Sequence, residues 1–105
     1  MTDTDQKMTT TSDADSALSR HQLRDNQADG RFEREENGHL CIARYHLEGD
    51  NLYIDYVEAP PALRGTGAAG RLMEALVDVA MERKLTLVPI CGYAVSWMRR
   101  HHEQA

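Results

Sequence analysis

The hydrophobic period of this chain changes once, and that change limits the fold more than any other feature. Between Arg31 and Glu58 apolar residues recur at every second position; between Ala69 and Ala80 they recur every three or four. A period of two belongs to strands and one of 3.6 to helices. In the first part, Asn37-Gly38 is a strong two-residue hairpin signal. "HLCIARYHL" then puts Cys41, Ala43, Tyr45 and Leu47 on one strand face, and "EGDN" turns the chain. "LYIDYVEA" follows, with Leu52, Ile54 and Tyr56 on one face. The region from Phe32 to Glu58 thus predicts a three-stranded antiparallel meander.

In the second part, Ala69, Leu72, Met73, Leu76 and Ala80 form one apolar helix stripe, with Arg71, Glu74, Asp78 and Glu82 mainly on the opposite face. Arg83 and Lys84 fall in the expected last turn, where positive charge suits the helix dipole. "LTLVPIC" reads as a buried strand, with Pro89 implying an edge or a bulge. Tyr93 to His102 completes the chain as a short helix. The expectation is an α/β fold with a mixed sheet: the meander, then a βαβ unit with parallel strands and a right-handed crossover, then the short helix.

At 105 residues the chain has room for one domain. Residues 1–28 are rich in Thr, Ser, Asp and Gln and almost free of large apolar side chains. They are expected to form a disordered acidic tail ahead of a domain at 29–105, a short helix around Ser16 to Leu23 being the alternative. A core built from so few residues is marginal, and a bound cofactor or partner subunit adds stability. A formal charge of −5 gives nucleic-acid binding no electrostatic support. No apolar run approaches the roughly 18 residues of a membrane span, and the N-terminus has no apolar signal core. Cys41 and Cys91 lie outside any C-x-x-C pattern, so two free thiols and a cytoplasmic setting are expected. The histidines are scattered. The one close pair, His101-His102, points in diverging directions on a helix, and no metal site is expected.

Between the two halves lies "LRGTGAAGRLM", Leu63 to Met73. Gly65, Gly67 and Gly70 spell G-x-G-x-x-G. A glycine-rich turn into a helix exposes unpaired N–H groups at the positive end of the dipole, where a phosphate can approach closely. A dinucleotide site needs its first glycine directly after the strand and an acidic residue at the end of the next strand. Here Ala59 to Arg64 intervene, the next strand ends in Ile90-Cys91, and only 35 residues follow Gly70. No Lys-Ser or Lys-Thr follows the loop, so a Walker-type loop is also excluded.

The same letters framed as Arg64-x-x-Gly67-x-Ala69, after a strand and a proline-containing connector, resemble the central motif of the GNAT N-acetyltransferase superfamily. The stretch from Ala59 to His101 resembles its small single-domain members, in which a "P-x-x-L-[RK]-G-x-G" loop is followed by "V-P-x-C" and a short basic helix. The resemblance covers about residues 31 to 103. It implies an acetyl-CoA cofactor and an amine acceptor, either a small molecule or a protein lysine. It places pantetheine against main-chain groups near Val57 and Ala59. It places the pyrophosphate on the N–H groups of Gly65, Thr66, Gly67, Ala68, Ala69 and Gly70, with Arg64 beside a phosphate and Arg99 as a further phosphate contact. A non-catalytic CoA-binding module and a protein-interaction domain are the alternatives on the same fold. Oligomeric state and acceptor identity are not legible.

Amine acetylation needs a proton acceptor, because a lysine-like amine is neutral in only roughly one molecule in 2,500 at pH 7. Three residues stand at the expected strand ends: Tyr56, Glu58 and Cys91. The resemblance puts Cys91 next to the acetyl group, where a thiolate takes the acetyl covalently or acts as a base; a space-filling thiol is the other role for such a cysteine. Relatives read "I-x-H-T-x-V-P" where this chain has Ile54-Asp55-Tyr56-Val57-Glu58-Ala59-Pro60, so Tyr56 stands in the histidine's place. A phenol is a poor base at neutral pH but donates a proton, and Tyr56 either protonates the leaving thiolate or packs in the core. Glu58 serves as base if desolvated, and is otherwise a solvated strand end.

Overall fold

The computed structural model describes residues 16–102. The first fifteen positions of the expected tail, and residues 103–105, lie outside the described residues. In chain order the elements are α1 (Ala17–Arg20), β1 (Leu23–Asn26), β2 (Arg31–Glu36), β3 (His39–Glu48), β4 (Asn51–Glu58), α2 (Ala68–Glu82), β5 (Thr86–Pro89) and α3 (Gly92–His102). The five strands form one sheet in the order β1-β2-β3-β4-β5. All neighbours are antiparallel except β4 and β5, which are parallel and joined through α2.

The meander is as the alternation dictates. Asn37 (φ 53°) and Gly38 (φ 79°) both take positive φ, the conformation that lets a two-residue turn follow the twist of its strands. Pro89 sits on β5, an edge strand of the sheet, where its missing N–H leaves no ladder bond unmade on the outer side.

All three helices lie on one face of the sheet. The buried stripe of α2 is Ala68, Leu72, Met73, Ala75, Leu76, Val79 and Ala80. Ala69, expected within it, is only half-buried, and Ala68 takes the buried position in the first turn. The stripe packs on Phe32, Cys41, Ala43, Leu52 and Ile54 from the strands, while Ala94 and Trp97 bring α3 against the same core. Each large apolar side chain removed from water here contributes about 1.5–3 kcal/mol. Helix α2 ends before the expected basic turn: Arg83 is its C-cap and Lys84 follows at φ 59°. The Lys84 and Leu85 amides bond back to Met81 (3.1 Å) and Ala80 (2.7 Å), the pattern of a Schellman stop.

Two expectations are corrected. Residues 16–28 are not all tail. Strand β1 pairs with β2 from Leu23 opposite Arg34 to Asn26 opposite Arg31, and Ala17 and Leu23 are buried. The Ala17 amide donates to both Glu82 carboxylate oxygens (3.1 and 3.0 Å), His21 pairs with Asp78 at 2.6 Å, and Tyr45 donates to Asp25 at 2.6 Å. Two small apolar contacts suffice because the sheet edge and α2 already supply hydrogen-bonding partners, which no local pattern reveals.

The second correction concerns Tyr56. The β3–β4 register shifts between Arg44 opposite Tyr56 and Tyr45 opposite Ile54, which leaves Asp55 as an extra residue on β4. A bulge of this kind reverses the facing of everything beyond it. Leu52 and Ile54 therefore face the helices, whereas Tyr56 is 49% exposed on the opposite face and does not pack in the core. Leu47, at the far end of β3, is also exposed.

Candidate functional site

The bulge lies where β5 stops. The parallel ladder runs from Asn51 opposite Thr86 to Ile54 opposite Pro89 and goes no further. The Ile54 carbonyl accepts from the amides of both Ile90 (3.0 Å) and Cys91 (3.4 Å) as the chain turns away. Residues 55–58 of β4 thus have no strand partner on their β5 side, and a cleft opens there.

The glycine loop closes one wall of this cleft. After Pro60, a short 3-10 turn at Pro61–Leu63 buries Leu63 in the core and anchors the loop. Thr66 fixes its next step: its amide and its hydroxyl both donate to the Leu63 carbonyl, at 3.2 and 2.6 Å, and its hydroxyl accepts from the Ala68 amide at 3.3 Å. Gly67, at φ 88°, is the N-cap of α2 and makes no side-chain cap bond. The amides of Ala69 and Gly70 therefore lie in a first helical turn that its cap leaves unsatisfied, at the positive end of a fifteen-residue helix.

The cleft holds about 330 Å³. It is lined by Tyr56 to Ala59 from β4, Leu63 and Arg64 from the loop, Gly67 to Gly70 from the start of α2, and Tyr93 from α3. Seven of the ten residues expected at a cofactor fall on this lining: Val57, Ala59, Arg64, Gly67, Ala68, Ala69 and Gly70. Gly65, at φ 79°, and Thr66 shape the loop without lining the cleft. Arg99 is exposed on α3 and is not among the lining residues. Arg64 is bent back, its Nε donating to the Ala59 carbonyl at 3.1 Å.

Of the three residues expected to act chemically, Tyr56 and Glu58 line the cleft and Cys91 does not. Cys91 is half-buried just before α3, and its Sγ accepts from the Ala94 amide at 3.4 Å in the manner of an N-cap. Tyr93, two residues on, does line the cleft; burial pushes its phenol above its ordinary pKa, the nearby Arg100 opposes this, and the two cysteines add to it. A Cβ built on Gly70 would lie 3.8 Å from the Tyr93 hydroxyl and 3.4 Å from Trp97 Nε1. Glycine at this position therefore lets α3 close over the start of α2. Tyr93 was legible only as the first residue of a helix. Its place in the cleft depends on the packing of that helix against α2.

The sequence profile of the GCN5-related N-acetyl-transferase family matches residues 31–105. The chain belongs to this family. The match begins at β2, so α1 and β1 precede the matched residues. No curated protein matches the chain. Among the described residues no group of three or more His, Cys, Asp or Glu is placed to hold a metal ion, and no helix is long and apolar enough to cross a membrane.

Proposed function

We propose that this GCN5-related N-acetyltransferase binds acetyl-CoA in the cleft between β4 and α2 and transfers the acetyl group directly to an amine. The observation that carries the reading is Gly67. A helix capped by a residue with no side-chain acceptor, opening on a cleft, presents its first amides to an anion. The residues present fit the cofactor. The Gly67–Gly70 segment would hold the pyrophosphate, with Arg64 lending charge on leaving Ala59. The unpaired edge at residues 55–58 of β4 would hold the pantetheine amides as a further strand would. Bound there, acetyl-CoA supplies the thioester from which the acetyl group passes.

The chain's own groups then divide the proton traffic. Glu58, at the mouth of the cleft, takes the proton of the incoming ammonium. Tyr56, a phenol beside it on the same strand face, donates a proton to the departing thiolate. The position of Cys91 off the cleft lining favours direct attack. A relay through Cys91 is the second reading, supported by the Ala94 amide that already faces its sulfur.

Thermal unfolding with acetyl-CoA, and with NADH in parallel, tests the site. The expected result is stabilisation by acetyl-CoA alone, about 2.7 kcal/mol at a hundredfold excess over Kd. Stabilisation by NADH alone would restore the dinucleotide pattern, and no shift with either would leave the glycines as architecture. Binding without release of free CoA thiol in the presence of amines would identify a non-catalytic module.

A further inference from the structure

Among the described residues no helix packs on the other face of the sheet, and the charges of that face are ordered with respect to the cleft. The register makes this explicit. Tyr56 on β4 lies opposite Arg44 on β3, Arg44 opposite Arg31 on β2, and Arg31 opposite Asn26 on β1. In the adjacent row Glu58 lies opposite Ile42, Ile42 opposite Glu33, and Glu33 opposite Arg24. The acid at the cleft is thus followed outward by three arginines with one carboxylate among them.

That carboxylate is already committed. Glu33 is buried on this face, as is Ile42 opposite it, and it accepts from Asn26 Nδ2 at 3.0 Å, from Arg31 Nε at 2.7 Å and from Arg24. Arg44 is exposed and takes part in none of the ion pairs among the described residues. The acid at the bulge, Asp55, is held by His46 at 2.7 Å. Like charges directly opposite on a sheet are destabilising, yet Arg31 and Arg44 are so placed in a chain of net charge −5. Next to Arg24, a hollow of about 190 Å³ continues along the face, lined by Gln22, Arg24, Glu33, Glu35 and Leu40. Glu35 of β2, opposite Leu40 of β3, lies on the same face beside this hollow.

We infer that the acceptor is the amine of a peptide chain with acidic residues beside it, lying across β4, β3, β2 and β1 on the open face. This rests on the acetyltransferase reading of the cleft. The ammonium is drawn to Glu58 and Tyr56, and the acidic neighbours meet Arg44 first and the Arg31–Arg24 pair next. Strands lie about 4.8 Å apart, so the row from Tyr56 to Asn26 covers roughly 14 Å. At about 3.3 Å per residue this is the length of four extended residues, longer than a single amino acid or short diamine needs.

Two labelled peptides of equal length test the inference, each with one lysine, flanked in one by Asp and Glu and in the other by Asn and Gln. Their affinities for the full chain are measured by fluorescence anisotropy at low and physiological salt, with an acetyl-CoA titration of the same samples. The acidic peptide is expected to bind about tenfold more tightly, as for one or two charge-assisted hydrogen bonds, with the margin shrinking as salt rises. Arg44→Gln should remove most of the preference and Arg44→Glu should reverse it, both with unchanged acetyl-CoA stabilisation. Equal affinity of the two peptides, a preference that survives Arg44→Glu, or tighter binding of free spermidine than of the acidic peptide would each overturn the inference. Absence of peptide selectivity in the unsubstituted chain with acetyl-CoA binding intact sinks this inference alone; absence of acetyl-CoA binding sinks the cleft reading itself.

Discussion

The guanidinium of Arg71 on α2 donates to both oxygens of the Glu36 carboxylate at the end of β2, at 2.7 and 2.8 Å, and reaches back to the Thr66 carbonyl at 3.1 Å. One side chain thereby ties the glycine loop to a strand three places away in the sheet from β5. Glu36 is held at a pKa of about 2, chiefly by the hydrogen bond from Arg71, against the opposing effect of burial and with help from Arg34. Glu36→Gln is expected to loosen the loop. Acetyl-CoA affinity by calorimetry should fall about three- to tenfold, the equivalent of roughly 1 kcal/mol, with turnover at saturation little changed. If Arg71 instead binds a phosphate itself, freeing it from Glu36 will tighten the cofactor, the opposite sign.

Gly67 and Gly65 separate two effects that usually travel together. Both have positive φ, so alanine at either should cost about 1–2 kcal/mol in the left-handed region. At Gly65 the added Cβ meets open space; at Gly67 it would lie 3.0 Å from the Arg71 guanidinium. Urea unfolding should therefore show similar losses for Gly65→Ala and Gly67→Ala. Only Gly67→Ala should also displace Arg71, and its loss of acetyl-CoA affinity should be several-fold the larger.

How much of this was legible in the sequence follows from the range of each interaction. The meander and the βαβ unit rest on local periodicity and on Asn37-Gly38, and both were readable. So was most of the cleft lining, because the loop, the strand end before it and the helix start after it are contiguous in the chain. The bulge at Asp55 was not readable, since nothing local distinguishes it from its neighbours, and with it went the facing of Tyr56. Strand β1 was missed because its hydrogen bonds come from β2 and its single apolar anchor, Leu23, is too little for a pattern. Arg71 and Tyr93 belong to helix faces whose partners lie 35 residues away at Glu36 or across the α2–α3 packing at Gly70. The facing of α3, set by Trp97 and Ala94, was out of reach of the sequence for the same reason, and it leaves Arg99 exposed and off the cleft lining.

Cys91 decides between direct transfer and a relay. Its sulfur caps α3 through the Ala94 amide, so Cys91→Ala removes an acceptor and should cost about 0.5–2 kcal/mol of stability, while Cys91→Ser keeps one. Direct transfer predicts that both variants turn over within a few-fold of the parent once assayed well below their unfolding temperatures. It also predicts no acetylated protein by intact-mass analysis after exposure to acetyl-CoA without acceptor. An acetyl adduct that vanishes in both variants, together with a collapse in turnover, would establish the relay.

Acid stability should be governed by two paired carboxylates of β2, Glu33 on the open face and Glu36 on the helix side. Glu33 is held at a pKa of about 2, first by the hydrogen bond from Asn26 and then by Arg24 and Arg31, with burial opposing them. A carboxylate whose folded pKa lies below its unfolded value, 4.5, adds stability that is present above pH 4.5 and is lost as pH falls toward 2. Glu36 acts in the same direction over the same range. Glu33→Gln should lower stability at pH 7 by about 1–3 kcal/mol, since it leaves Arg24 and Arg31 without their counter-ion. It should also flatten the pH dependence between 4.5 and 2, because the variant has one fewer proton to take up on unfolding. Denaturant midpoints of the two proteins measured from pH 7 to pH 2 should therefore converge as the acid limit is approached. Parallel curves across that range would mean that the Glu33 carboxyl has the same pKa in the folded and unfolded chains.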